Sequence, residues 1–215
     1  MALIAERGIQ AVVFDLDGTL IDSHASVERS WERLAEAMGI DYAAAPFTHG
    51  VPALANIHAV LPGVDEQTAA HWFDVHWRME CEDTEGVVAL PGAHDLLTAL
   101  DEAQVPWGIA TGCSHGLGEA RQAAAGIARP EVFVMFGDYT QGKPHPEPFL
   151  LAAERLGVSA NAVVVVEDAP SGVAAGVAAG AFVVAVSETH SREELRAAHV
   201  VVADLHELRT LLLGS

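Results

Sequence analysis

Short apolar runs alternate with amphipathic stretches along most of the chain. Ile9 to Phe14, Val105 to Ala110, Val132 to Phe136, Ala162 to Val166, Ala181 to Val186 and His199 to Val202 are brief and largely apolar. Runs of that length, bounded by turn residues, read as buried strands. His94 to Leu100, Leu117 to Ala125, Phe149 to Leu156, Gly172 to Ala179, Ser191 to Ala198 and Leu205 to Leu213 read as the helices that connect and close them. Such alternation predicts an α/β fold with a doubly wound parallel sheet.

The alternation breaks once, directly after the first strand. From about residue 21 to 88 the pattern is helical, with no strand signal. Val27, Trp31, Leu34 and Met38 recur at helical spacing among Glu28, Arg29, Glu32, Arg33 and Glu36, and Gly39 ends the helix. Two further helices are expected over Ala53 to Val60 and from Asp65 to about Cys81. The predicted architecture is therefore a core of residues 1–20 and 89–215, with an all-helical cap of residues 21–88 inserted into it. His71 and His76 do not share a helix face as a zinc pair would, so they read as packing or surface residues. Gly172, Gly176 and Gly180 lie on one face of a helix and suggest close packing on the sheet.

Charge narrows the choice of partners. Lys+Arg 11 against Asp+Glu 30 gives a net charge of −19 over 215 residues. Nucleic acid and anionic membranes want basic patches, so neither is an expected partner. An anionic substrate would have to find its positive charge at the site itself. A hydrophobic content of 51% is ample for a core. Cys81 and Cys113 form no C-x-x-C pair, and no signal peptide or membrane-spanning run is visible; a reduced, cytoplasmic protein, monomer or homodimer, is expected.

The chemistry lies at the strand ends, where ligands of open α/β sheets sit. Asp15 and Asp17 follow the first strand in Asp15-Leu16-Asp17-Gly18-Thr19-Leu20. Two acids this close repel unless a cation or a shared proton holds them. Thr111-Gly112 follows the strand 105–110, where a hydroxyl and turn amides could donate to a phosphate oxygen. Glu167-Asp168 follows four consecutive valines. Adjacent carboxylates at the end of a buried strand are costly without a cation, and a hard oxygen-ligand ion such as Mg²⁺ suits them. Lys143, in Gly142-Lys143-Pro144-His145-Pro146, is the sole lysine of the chain. A lone lysine flanked by proline is better explained as a point charge among carboxylates than as a solvated surface group. Taken singly, the Asp-Gly and Thr-Gly pairs are ordinary turns.

Taken together, Asp15-Leu16-Asp17-Gly18-Thr19, Thr111, Lys143 and Glu167-Asp168 resemble, in order and spacing, the four motifs of the haloacid dehalogenase superfamily. The Gly142 to Phe149 string, Val166 to Gly172, and Asp22-Ser23 with Val27 to Trp31 look like its sugar-phosphate and glycerol-phosphate phosphatase branch. Gly112 stands where that family commonly has Ser or Asn. The resemblance implies a Mg²⁺-dependent phosphatase. Asp15 would be the nucleophile that forms an aspartyl-phosphate, and Asp17 the acid/base. Thr111, Gly112 and Lys143 would bind the phosphoryl group, and Asp15, Asp17, Glu167 and Asp168 would surround the metal, Asp17 through its carbonyl. The cap loop Thr48-His49-Gly50 is the candidate for leaving-group selection. It lacks a charge for a second phosphate, so the expected partner is a small phosphorylated metabolite, a sugar or polyol monophosphate.

Other activities of that fold remain open. A sugar phosphomutase would resemble this core but have a cap histidine where Val27 stands. A phosphonate hydrolase would need a cap lysine, and a dehalogenase would not need Asp17. A non-catalytic module that binds phosphorylated metabolites would be expected to have lost part of the set, and none is missing.

Overall fold

The computed structural model describes residues 2–45, 47, 51 and 53–214. The amino-terminal half runs α1 (Leu3–Arg7), β1 (Ala11–Phe14), β2 (Ile21–Asp22), α2 (His24–Met38), α3 (Ala53–Val60), α4 (Glu66–Glu82) and β3 (Val88–Ala89). There follow α5 (Ala93–Glu102), β4 (Trp107–Ser114), α6 (His115–Ala124), β5 (Val132–Phe136), α7 (Glu147–Arg155), β6 (Val163–Glu167), α8 (Pro170–Ala178), β7 (Phe182–Val186), β8 (Val200–Val202) and α9 (Leu205–Leu213). These divide into two compact units, residues 1–22 with 88–215, and residues 23–87.

The first unit is built on a six-stranded sheet of order β5-β4-β1-β6-β7-β8, parallel throughout. Successive side chains of a strand point to opposite faces, yet every residue of β1 and β6 is buried. Both faces are therefore covered. Val13, Val165 and Val183 share one core with Phe149, Ala152 and Ala153 of α7 and Val173 and Ala175 of α8. Fully burying side chains of this size contributes about 1.5–3 kcal/mol each. This explains why the strands read as unbroken apolar runs rather than as alternating ones.

Strand order reverses at β1. The chain moves outward from β1 through β4 to β5, then returns to β6 on its other side and moves out through β7 to β8. Such a reversal leaves a crevice beyond the carboxyl ends of the central strands. The register sets Phe14 beside Ile109 and Val166, so the residues that follow leave the sheet at one level.

In the second unit, α2, α3 and α4 carry a core of Trp31, Leu34, Ile57 and Ala69. Asp65 caps α4 by accepting from the Thr68 amide at 2.9 Å. Asp83, just past α4, receives both arms of the Arg29 fork, Nε at 3.0 Å and Nη2 at 2.8 Å. His76 is buried, stacked on Trp31 with ring centroids 3.7 Å apart, and its ring nitrogens face Ser30 Oγ at 3.1 Å and Glu80 at 3.4 Å. His71 is exposed. Among the described residues, no helix is long and apolar enough to cross a membrane.

The structure corrects three sequence expectations. Residues 191–198 form turns, not a helix. Ser191 and Glu194 cap one another, but Leu195 is the one buried side chain there, too little to hold a helix against its nucleation cost. The strand expected to stop at Ala110 continues to Ser114, with a register shift against β5 between Ala110 and Ser114. The stretch 21–88 is not free of strands either: Ile21 and Asp22 pair antiparallel with Ala89 and Val88. Strands of two residues are too short to carry a period.

Candidate active site

Leaving β1, the chain closes a tight loop in which the Leu16 carbonyl accepts from the amides of Leu20 (2.9 Å) and Ile21 (3.1 Å). Gly18 has φ +80, and a β-carbon there would collide with the Asp168 carboxylate. Glycine is thus required twice over, by backbone conformation and by space. The loop hands Thr19 to Asp168, whose Oδ1 accepts from the Thr19 hydroxyl at 3.1 Å. Thr189, after β7, donates to Asp168 Oδ2.

Lys143 stands on the loop before α7, its bond to Pro144 cis. Glu147, in the first turn of α7, fastens the start of that loop by accepting from the amides of Thr140 (2.9 Å) and Gln141 (2.8 Å). The Lys143 ammonium bonds Asp15 Oδ1 and lies 2.6 Å from Glu167 Oε1, with Nζ 4.9 Å from the centre of the Phe149 ring. Glu167 is 1% exposed. Its other oxygen accepts from the amides of Asp168 and Ala169, both at 3.0 Å. Glu167 therefore holds the lysine with one oxygen and the entry to α8 with the other.

Asp15, Glu167 and Asp168 bring carboxylate oxygens within 4.8 Å of one another, all three residues buried. Three carboxylates, if all are ionised, outnumber the one ammonium by two charges. Burial raises the Asp15 carboxyl well above the ordinary range; Lys143 pulls against this, while Glu167 and Asp168 add to it. Asp168 is pushed up to about 6, by burial first and then by Glu167, against the two threonine hydroxyls. Burial works against the Lys143 charge, yet Asp15 and Glu167 outweigh it and hold the ammonium above its usual range. The cluster thus lacks positive charge, and its donors are all hard oxygens. A divalent metal ion fits both features.

Asp17 is placed differently. Its carboxylate is met by Arg121 Nη1 at 3.1 Å on Oδ1 and by the Cys113 thiol at 3.0 Å on Oδ2. Thr111 lies inside β4 rather than after it and is 2% exposed; its hydroxyl accepts from the Cys113 amide at 3.1 Å, and its carbonyl accepts from the Tyr139 hydroxyl at 3.1 Å. Gly112 is exposed, with open space where a side chain would go. His49 and Gly50 lie outside the described residues. Arg121, Cys113 and Thr189 carry no site signal in the sequence. Arg121 reads there as one arginine in a helix and Thr189 as part of a loop, so only the fold reveals their partners.

The chain as a whole is similar to known proteins. A family model described as haloacid dehalogenase-like hydrolase matches residues 9–180. Hexitol phosphatase A of Escherichia coli is 40% identical over 201 residues, covering 91% of each chain. Validoxylamine A 7'-phosphate phosphatase of Streptomyces hygroscopicus is 34% identical, covering 93% of this chain and 96% of its own. The crystal structure of a hydrolase from Pseudomonas syringae superposes with a TM-score of 0.80 at 27% identity, covering 93% of this chain and 95% of the other.

Proposed function

The chain belongs to the haloacid dehalogenase-like hydrolases, and from that premise we propose that it hydrolyses small sugar or polyol phosphate monoesters through a phosphoryl group carried on Asp15. The observation that carries this reading is Lys143 wedged between Asp15 and Glu167 beside Asp168. An ionised nucleophile needs such charge around it, and so does the phosphate it attacks.

Asp15 attacks phosphorus, and the bond to the leaving oxygen breaks as Asp17 gives that oxygen a proton. Asp17 then takes a proton from water, which attacks the same phosphorus, releases inorganic phosphate and restores the Asp15 carboxylate. Lys143 offsets charge on Asp15 and on the phosphoryl oxygens throughout. Thr111, and the amide of Gly112 where no side chain intervenes, supply donors for the remaining oxygens. Glu167, with both oxygens engaged, keeps the lysine in place. Asp15, Asp168 and the main-chain carbonyl of Asp17 would hold Mg²⁺, which supplies the positive charge that neutralises the phosphoryl oxygens during transfer. The preference for sugar or polyol esters rests on the relatives, among them phosphatases named for hexitol and for glycerol 1-phosphate.

The test is phosphate release from a panel of sugar, polyol and nucleoside monophosphates, with Mg²⁺, after chelation, and after Mg²⁺ is returned. Chelation should abolish turnover and Mg²⁺ restore it, with polyol and sugar esters preferred. Full activity in chelator, or a clear preference for nucleotides, would overturn the corresponding part of the reading.

A further inference from the structure

A guanidinium buried to 4% exposure, as in Arg121, is expensive to desolvate and needs a partner. Arg121 lies on the inner face of α6 with Leu117, Gly118 and Gln122, and α6 begins where β4 ends. The helix therefore brings the arginine to Asp17 from the sheet side, at 3.1 Å from Oδ1. Cys113, next to the last residue of β4 and 8% exposed, donates to Oδ2 at 3.0 Å, and Arg121 Nη1 is also 3.4 Å from its sulfur. One donor on one oxygen would leave a carboxylate free to turn about its last torsion. Two donors on different oxygens, themselves in contact, fix the plane.

We infer that Arg121, assisted by Cys113, is a positioning residue that sets the orientation of the Asp17 carboxylate toward the leaving oxygen. The inference rests on the reading of Asp17 as the acid/base. The Arg121 guanidinium and the Cys113 thiol bond Asp17 and each other, so side-chain changes there should fall first on proton transfer rather than on holding the phosphoryl group. A purely structural ion pair would instead depress every substrate alike.

Leaving-group chemistry separates the two. An alkyl phosphate expels an alkoxide that must be protonated as the P–O bond breaks; a nitrophenyl phosphate expels a stable phenolate that need not be. The experiment measures single-turnover phosphoryl transfer from glycerol phosphate and the pre-steady-state nitrophenolate burst, for wild type, Arg121→Lys, Arg121→Gln, Cys113→Ala, Cys113→Ser and Asp17→Asn. General acid assistance is worth roughly 10²–10⁴-fold, so misaligning it should slow the alkyl ester by ~10-fold or more. KM should change little, and the nitrophenolate burst should stay near wild type. Cys113→Ala should show a smaller loss of the same selectivity, which Cys113→Ser, keeping a donor, restores; this pair carries the test if the arginine variants do not fold. Equal loss on both esters, or a loss confined to KM, would overturn the inference. If Asp17→Asn itself fails to distinguish the esters, the acid/base reading falls. If Asp17→Asn distinguishes them and the Arg121 and Cys113 variants do not, the inference alone falls.

Discussion

Gly172 stands against Glu167 so closely that a β-carbon on the glycine would fall inside the glutamate's carboxylate. The first turn of α8 can cover the end of β6 only because that position has no side chain. The amides of Asp168 and Ala169 can then reach Glu167 Oε2 while Oε1 remains for Lys143. A helix that the sequence shows as a run of tiny residues is thus fitted around one carboxylate.

Gly172→Ala should therefore damage the site rather than the helix. Overpacking of this kind costs about 1–3 kcal/mol, and the displaced Glu167 should release Lys143. The expected outcome is a lower melting temperature together with a fall in kcat/KM. A variant with wild-type kcat/KM would show that Glu167 need not sit where it does.

Replacing Lys143 tests whether its geometry or only its charge matters. A planar fork cannot occupy the space of a compact ammonium between two carboxylates. Lys143→Arg should lose most activity, and Lys143→Ala about 10²-fold or more, as is usual when a preorganised donor is removed. Steady-state rates with one saturating ester suffice; a near-wild-type arginine variant would refute the role.

Asp15→Asn should abolish turnover, and acid-quenched wild type should carry a phosphoryl group on Asp15 that the variant lacks. Asp17→Asn should slow turnover while Mg²⁺ binding, followed by calorimetry, persists, since only the main-chain carbonyl is assigned to the metal. Retained turnover in Asp15→Asn would move the nucleophile elsewhere.

The Arg29–Asp83 pair gives a pH-dependent prediction in residues 23–87. Bonding to Arg29 outweighs partial burial and holds the Asp83 carboxyl below its usual range. A depressed carboxylate stabilises the fold above its unfolded value, near 4, and loses that contribution as pH falls through its folded value. Arg29 is 36% exposed, so solvent screens the pair and its contribution is small. Asp83→Asn should lower the melting temperature at pH 7, and the gap from wild type should close below about pH 4. A gap that is constant with pH would mean that charge plays no part.

The strands were legible because burial on both faces leaves nothing polar to interrupt them: Val163 to Val166 are at most 1% exposed. The helices of residues 23–87 were legible from the spacing of Trp31, Leu34 and their neighbours. What the sequence concealed depends on tertiary placement. Gly112 and Cys113 look like a turn, yet β4 runs through them with a register shift. Ser191 and Glu194 look like a helix start, and they cap a turn that goes no further. At the site, acids at strand ends are visible in one dimension. An arginine that reaches Asp17 from the next helix, or a threonine that reaches Asp168 from the loop after β7, is not.

The central place of β1 has a consequence for how the chain is made. Its partners are β4, which begins at Trp107, and β6, which begins at Val163. At ribosomal speed the wait for the second partner is on the order of ten seconds. Over that time β1 is an apolar segment with at least one unsatisfied edge, while residues 23–87 have their own core to close. The strand that leads into Asp15 thus emerges long before it is fully seated. The period of greatest exposure to wrong strand pairing falls during synthesis, before the acidic cluster exists.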